Sequence, residues 1–125
     1  MLFDTDVLIW VLRGNDKAAE AVDAADRRAT SVVSYMELLQ GARDKREMKT
    51  IKSFLTDMGF RMLPLTENIG HRASIYMEEY SLVVAISMGD ALIAATASEA
   101  GEPLCTANDK HYKAVAELEL KRFRP

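Results

Sequence analysis

Two apolar rhythms alternate along this chain. Short apolar or β-branched runs at residues 1–3, 29–33, 60–65 and 103–106 are bounded by turn residues and predict strands. Between them, apolar positions recur every three or four residues and predict amphipathic helices. The first carries Val7, Leu8 and Val11, and a turn at Arg13-Gly14-Asn15-Asp16 separates it from an alanine-rich helix through Ala18, Val22 and Ala25. The next starts at Ser34, holds Tyr35, Met36, Leu38 and Leu39, and closes near Gly41. A basic stretch, residues 43–52, continues into Phe54, Leu55 and Met58 as a helix with a solvated face. Residues 66–81 repeat the spacing with Ile69, Ala73, Tyr76 and Tyr80. Residues 87–100 are apolar almost all round, the mark of a buried helix, and Gly101 stops them. Residues 108–115 read as a short helix and 118–123 as an edge strand. Residues 82–86 fit either a packed connection between helices or a short strand. Strand alternating with helix predicts a parallel sheet with helices on both faces, a three-layer α/β/α fold.

The chain has 125 residues, of which 49% are apolar and 28% charged, enough for a single domain spanning 1–125 around a sizeable core. A net charge of −3 argues against gripping nucleic acid by bulk electrostatics and leaves a local basic patch open. One cysteine, Cys105, precludes an internal disulfide and sits in an apolar run, where a buried, inert thiol is expected. No stretch reads as a signal peptide or a membrane span, so a cytoplasmic protein without a membrane partner is expected.

Acidic residues come just after the strands. Asp4 lies where the first strand turns into a helix, Glu37 comes after the second, Asp90 opens the buried helix, and Asp109 comes after the fourth strand. Each has a local explanation: Ser34-x-x-Glu37, Ser87-x-x-Asp90 and Thr106-x-x-Asp109 have capping-box spacing or close to it, and Asp4 and Asp6 suit helix N-termini. Two considerations weigh the other way. Strands of one parallel sheet end at one edge, so these carboxylates converge and repel unless a cation is bound. An acid opening a buried helix also needs a partner. A site of oxygen ligands suits Mg²⁺ or Mn²⁺.

Four blocks, Phe3-Asp4-Thr5-Asp6, Ser34-Tyr35-Met36-Glu37-Leu38, the run from Asp90 to Ala97, and Thr106-Ala107-Asn108, resemble in order the signature blocks of PIN-domain ribonucleases, most closely the VapC-type toxins of toxin–antitoxin pairs. The resemblance implies a five-stranded parallel sheet in the order 3-2-1-4-5 and a Mg²⁺- or Mn²⁺-dependent endoribonuclease. It also implies a cognate antitoxin and a homodimer. It places Asp4, Glu37 and Asp90 at the metal and as catalytic acids. It casts Thr5, Asp6, Thr106 and Asn108 as polar support. The chain departs from the pattern at the fourth acid: some relatives carry an acid or a histidine just before the closing aromatic, where this chain has His111, and others an acid two residues after the threonine, where it has Asn108; Asp109 lies between these places and is a candidate fourth catalytic acid. Arg43, Arg46, Lys49 and His111 are candidates for phosphate contacts, and Tyr35, Trp10 and Tyr112 are the aromatics near the expected site. Arg43, Arg46 and Lys49 fit a solvated helix face equally well, and Trp10 fits the core.

Three other readings compete. A phosphatase of the haloacid-dehalogenase type also starts with a strand and Asp-x-Asp, but Val7 and Leu8 continue a helix where that family's Gly-Thr would stand. A receiver domain needs a phosphorylated Asp after its third strand, where this chain has Thr66-Glu67. The third is a non-catalytic scaffold that binds RNA or protein.

Overall fold

A computed structural model describes residues 1–125. The chain runs β1 (Leu2–Phe3), α1 (Thr5–Leu12), α2 (Asp16–Ala24), β2 (Ala29–Ser31), α3 (Val32–Gln40), α4 (Lys45–Asp57), β3 (Arg61–Leu63), α5 (Glu67–Tyr80), α6 (Met88–Ala100), β4 (Leu104–Thr106), α7 (Asp109–Tyr112) and β5 (Leu120–Arg122). All strand pairs are parallel, and the order β3-β2-β1-β4-β5 matches the expected 3-2-1-4-5. Leu2 pairs with both Ala29 and Leu104, which makes β1 the central strand.

Side chains alternate across so short a strand, and the alternation builds two cores. Leu2 and Leu104 enter one cluster with Ile69, Ala73 and Tyr76 of α5 and the buried face of α6. Phe3 and Cys105 enter the other with Val7, Leu8, Val22, Leu38 and Leu55. These are the two helical layers that the pattern predicts. Helix α6 fits against its core because Ala91, Ala94, Ala95 and Ala97, all fully buried, bring its backbone close. Gly101 ends it in the left-handed conformation, φ +65°, that favours glycine. No helix is long and apolar enough to cross a membrane. The Cys105 thiol is buried, and burial pushes its pKa up to about 11, so it is inert at neutral pH.

Several boundaries differ from those expected of the sequence, for local reasons. Strand β2 stops at Ser31 rather than residue 33 because the Ser31 hydroxyl accepts from the Val33 amide, 3.0 Å away, and starts α3 there. Ser34 is therefore inside the helix and caps nothing. Residues 82–86 are a connection between α5 and α6, with no strand in it, and Leu82 is fully exposed. The helix expected over residues 108–115 is the single turn α7.

The close seat of α6 gives the first test. Replacing Ala94 with Leu adds volume where there is none to spare, so unfolding in urea should show a loss of roughly 1–3 kcal/mol. An unchanged midpoint would mean that α6 is not packed as tightly as its alanines indicate.

Candidate active site

The chain visits β1, β2 and β3 in one direction and then crosses back to β4 on the other side of β1. That reversal opens a crevice beyond the carboxyl ends of β1 and β4, where ligands of open α/β sheets bind. Asp4 is the first residue past β1, and Thr106 ends β4.

Asp4 is buried, and three donors reach it, one of them shared with Asp90. Its Oδ1 accepts from the Thr5 amide at 2.8 Å. Its Oδ2 accepts from the Thr106 hydroxyl at 2.8 Å and lies 3.0 Å from the Tyr112 hydroxyl. The same Tyr112 oxygen stands 3.1 Å from Oδ1 of Asp90. Two acids far apart in sequence thus meet on one hydroxyl. Asp90 is also the N3 residue of a capping box: Ser87 Oγ accepts from its amide at 3.1 Å, and its Oδ2 accepts from the Ser87 amide at 3.3 Å.

Glu37 joins from α3. Its Oε1 accepts from the Thr5 hydroxyl at 2.6 Å, and the same hydroxyl lies 2.9 Å from Ser34 Oγ. Gly89 leaves it room, since a Cβ there would sit 3.1 Å from Glu37 Oε2. Asp6 turns Oδ2 to the Ala107 amide at 3.1 Å, while its Oδ1 is buried with no partner. The Asn108 side chain makes no cap, and the Asn108 amide donates to Thr106 Oγ1. His111 places Nδ1 3.5 Å from Asp90 Oδ2.

Asp109 does not join the group. Arg124 binds its Oδ1 at 2.9 Å and Lys113 lies 3.9 Å from its Oδ2, and the Arg124 guanidinium holds its pKa below the usual carboxylate range. The spacing Thr106-x-x-Asp109 is not a capping box either: α7 begins at Asp109 itself, and Thr106 Oγ1 accepts from the Asn108 amide, not from that of Asp109. Arg43 is exposed and pairs with Glu47 at 3.0 Å, while Arg46 and Lys49 are exposed on α4. Arg13 and Arg43 line a groove of about 550 Å³ between α1, α3 and α4, with Glu37 on its wall. Trp10 is half-buried, under the Arg13 guanidinium at 6.0 Å.

The electrostatics are those of crowded acids. Burial, reinforced by the charge of Asp6, raises the Asp4 pKa to about 7 despite its three donors. Burial also raises that of Asp6. No three of the acidic, histidine or cysteine side chains close on a single point as they stand, since hydroxyls of Tyr112 and Thr5 lie among them. The donor set nevertheless fits a hard divalent cation: every group is an oxygen, one buried oxygen lacks a partner, and the shared charge is unrelieved.

A family model described as PIN domain matches residues 1–118. The chain is 37% identical over 124 residues to Ribonuclease VapC10 of Mycobacterium tuberculosis, covering 94% of this chain and 90% of that protein. To Ribonuclease VapC28 of the same species it is 30% identical over 114 residues, covering 83% and 86%. Among solved structures, a toxin–antitoxin complex from Klebsiella pneumoniae superposes with a TM-score of 0.80 at 27% identity, covering 94% of this chain and 93% of that one. VapBC2 from Rickettsia felis, bound to a DNA fragment from its promoter, superposes at 0.82 and 18% identity over 98% of both chains, a likeness of fold.

The Asp4 carboxyl makes stability depend on pH in the chelated protein. Between its ordinary value of 3.8 and about 7 the folded chain binds a proton that the unfolded chain has released. Stability therefore falls as pH rises through that window, by a total on the order of 4 kcal/mol. Asp109, held below the usual carboxylate range by Arg124, and Glu117, held below it by the Tyr76 hydroxyl and Arg72, work in the opposite sense and carry their charge at both pH 5 and pH 8. In EDTA, thermal unfolding at pH 5 and pH 8 should show a lower midpoint at pH 8, and Asp4→Asn should remove most of that drop. A midpoint that rises with pH in wild type would contradict the raised pKa.

Proposed function

Since this chain belongs to the PIN-domain family, we propose that it is a divalent-cation-dependent endoribonuclease, the toxin of a VapBC-type pair. The observation that carries the reading is the meeting of Asp4 and Asp90 on Tyr112 in the crevice between β1 and β4, with Glu37 alongside. Ribonuclease relatives across most of the chain support RNA as the substrate. The toxin–antitoxin neighbour supports a cognate antitoxin as partner. A homodimer and a cytoplasmic location complete the proposal.

In this reading Asp4, Asp90 and Glu37 would hold Mg²⁺ or Mn²⁺, and Asp6 contributes a further buried oxygen that has no protein partner. The bound cation supplies a Lewis acid for the phosphoryl oxygens and a more acidic water. The protein residues do the rest. Thr106 and the Thr5 amide fix the Asp4 carboxylate, so its orientation is set before any substrate arrives. The capping box does the same for Asp90. Glu37 is exposed, and its Oε2, free of hydrogen bonds in this arrangement, is placed to take the proton of the water that attacks phosphorus. His111, when protonated, adds positive charge beside Asp90 at the rim where an anionic strand approaches. Arg13 and Arg43 set two guanidinium groups along the groove that Glu37 also lines, a route for neighbouring phosphates. Arg46 and Lys49 extend the basic face of α4.

The phosphatase reading needs Asp4 free to attack phosphorus, whereas both its oxygens are engaged by donors in a buried position. RNA cleavage by purified protein tests the proposal. Wild type with Mg²⁺ should cut. Asp4→Asn and Asp90→Asn should each lower the rate about 100-fold or more, and Glu37→Gln by roughly 10–100-fold. Cleavage that persists in EDTA and in both aspartate variants would defeat the assignment; binding of RNA without cleavage would favour the scaffold reading.

A further inference from the structure

The Tyr112 hydroxyl occupies an uncommon place. It touches two carboxylates, Asp4 at 3.0 Å and Asp90 at 3.1 Å, yet carries one proton. When both acids are ionised, one contact is a hydrogen bond to a carboxylate and the other sets a hydroxyl lone pair against an anionic oxygen. Thr106 cannot make up the difference, because its hydroxyl already donates to the same Asp4 oxygen. Nor can the phenol swing away: Tyr112 is 0% exposed, and its ring packs in the core cluster with Ile93, Val115 and Leu118.

We propose that Tyr112 is a positioning residue that takes the part of the divalent ion while the site is without one. Its hydroxyl keeps Asp4 and Asp90 together across their repulsion, and a cation held by both carboxylates makes that bridge redundant. The inference rests on the metal-dependent reading above. A cation attracts both carboxylates at once, as a single proton cannot. The hydroxyl therefore stabilises the metal-free protein more than the metal-bound one. By closure of the thermodynamic cycle, removing it must weaken the metal-free fold and tighten ion binding.

The test is Tyr112→Phe, which keeps the ring and deletes the oxygen. At pH 8 in EDTA the variant should melt below wild type, and saturating MnCl2 should close the gap. Calorimetric titration with MnCl2 should show binding roughly fivefold tighter than wild type, the scale of one hydrogen bond. If the variant is unfolded in EDTA, folding on addition of MnCl2 supports the proposal, and failure to fold with MnCl2 overturns it. A gap that survives MnCl2 with unchanged affinity also overturns it, and leaves the metal-dependent reading standing. If wild type itself takes up no Mn²⁺, that reading fails and the role of Tyr112 fails with it.

Discussion

Every strand of this sheet runs the same way, so every strand ends at the same edge, and the residues just past the strand ends must share a small volume there. At the centre, where β1 lies between β2 and β4, the shared volume holds Asp4, Asp6 and Asp90. Unit charges about 4 Å apart repel by roughly 4 kcal/mol at the effective dielectric of a protein near its surface. Hydrogen bonds to a charged group return about 1.5–3 kcal/mol each. Asp4 has three donors, and its carboxyl still titrates near 7, so burial and repulsion outweigh them. A fold selected only for stability would place an apolar or amide side chain there. The uncompensated charge is thus the feature that calls for a function, and the surrounding hydroxyls are arranged to contain it.

The amphipathic spacing of the helices and the alternation of strand and helix were readable from the sequence because both are local: which face of α5 or α6 is apolar depends on residues within a few turns. The acids Asp4, Glu37 and Asp90 were readable as a group because parallel topology brings strand ends together without further information. Tyr112 was counted only as a nearby aromatic. Its hydroxyl contacts Asp4 across 108 positions, and nothing in local spacing announces such a pair. Asp109 failed for the complementary reason. Its position one turn past β4 was right for the cluster, but Arg124, 15 residues on, offers it a full positive charge, and the backbone turn of α7 presents it to that partner. Asp6, assigned a supporting role, shows why motif and geometry differ: one oxygen supports the β4–α7 turn, while the other has no protein partner.

The boundary of α3 shows the same competition at short range. Ser31 and Ser34 are both plausible caps, separated by less than one helical turn. Burial decides between them: Ser31 ends a fully buried strand and its hydroxyl must find a donor, which the Val33 amide supplies. With the helix begun three residues early, Ser34 faces Thr5 instead, and Glu37 is carried one turn along the same face to the site. The start of a helix thus determines which side chain reaches the acidic cluster.

Capping and chemistry were competing explanations for Asp90, and the structure uses both. One oxygen of its carboxylate receives the Ser87 amide and the other meets Tyr112. The cap contributes more than helix stability, because it fixes the rotamer that aims the remaining oxygen into the crevice. Asp4 is fixed likewise by Thr5 and Thr106. Glu37 differs: it is exposed and held through one hydroxyl, with open space beside it only because residue 89 has no side chain. Two acids are therefore rigid and one retains freedom to move. Rigid carboxylates lower the cost of organising charge before a partner binds, and a mobile one can adjust to it.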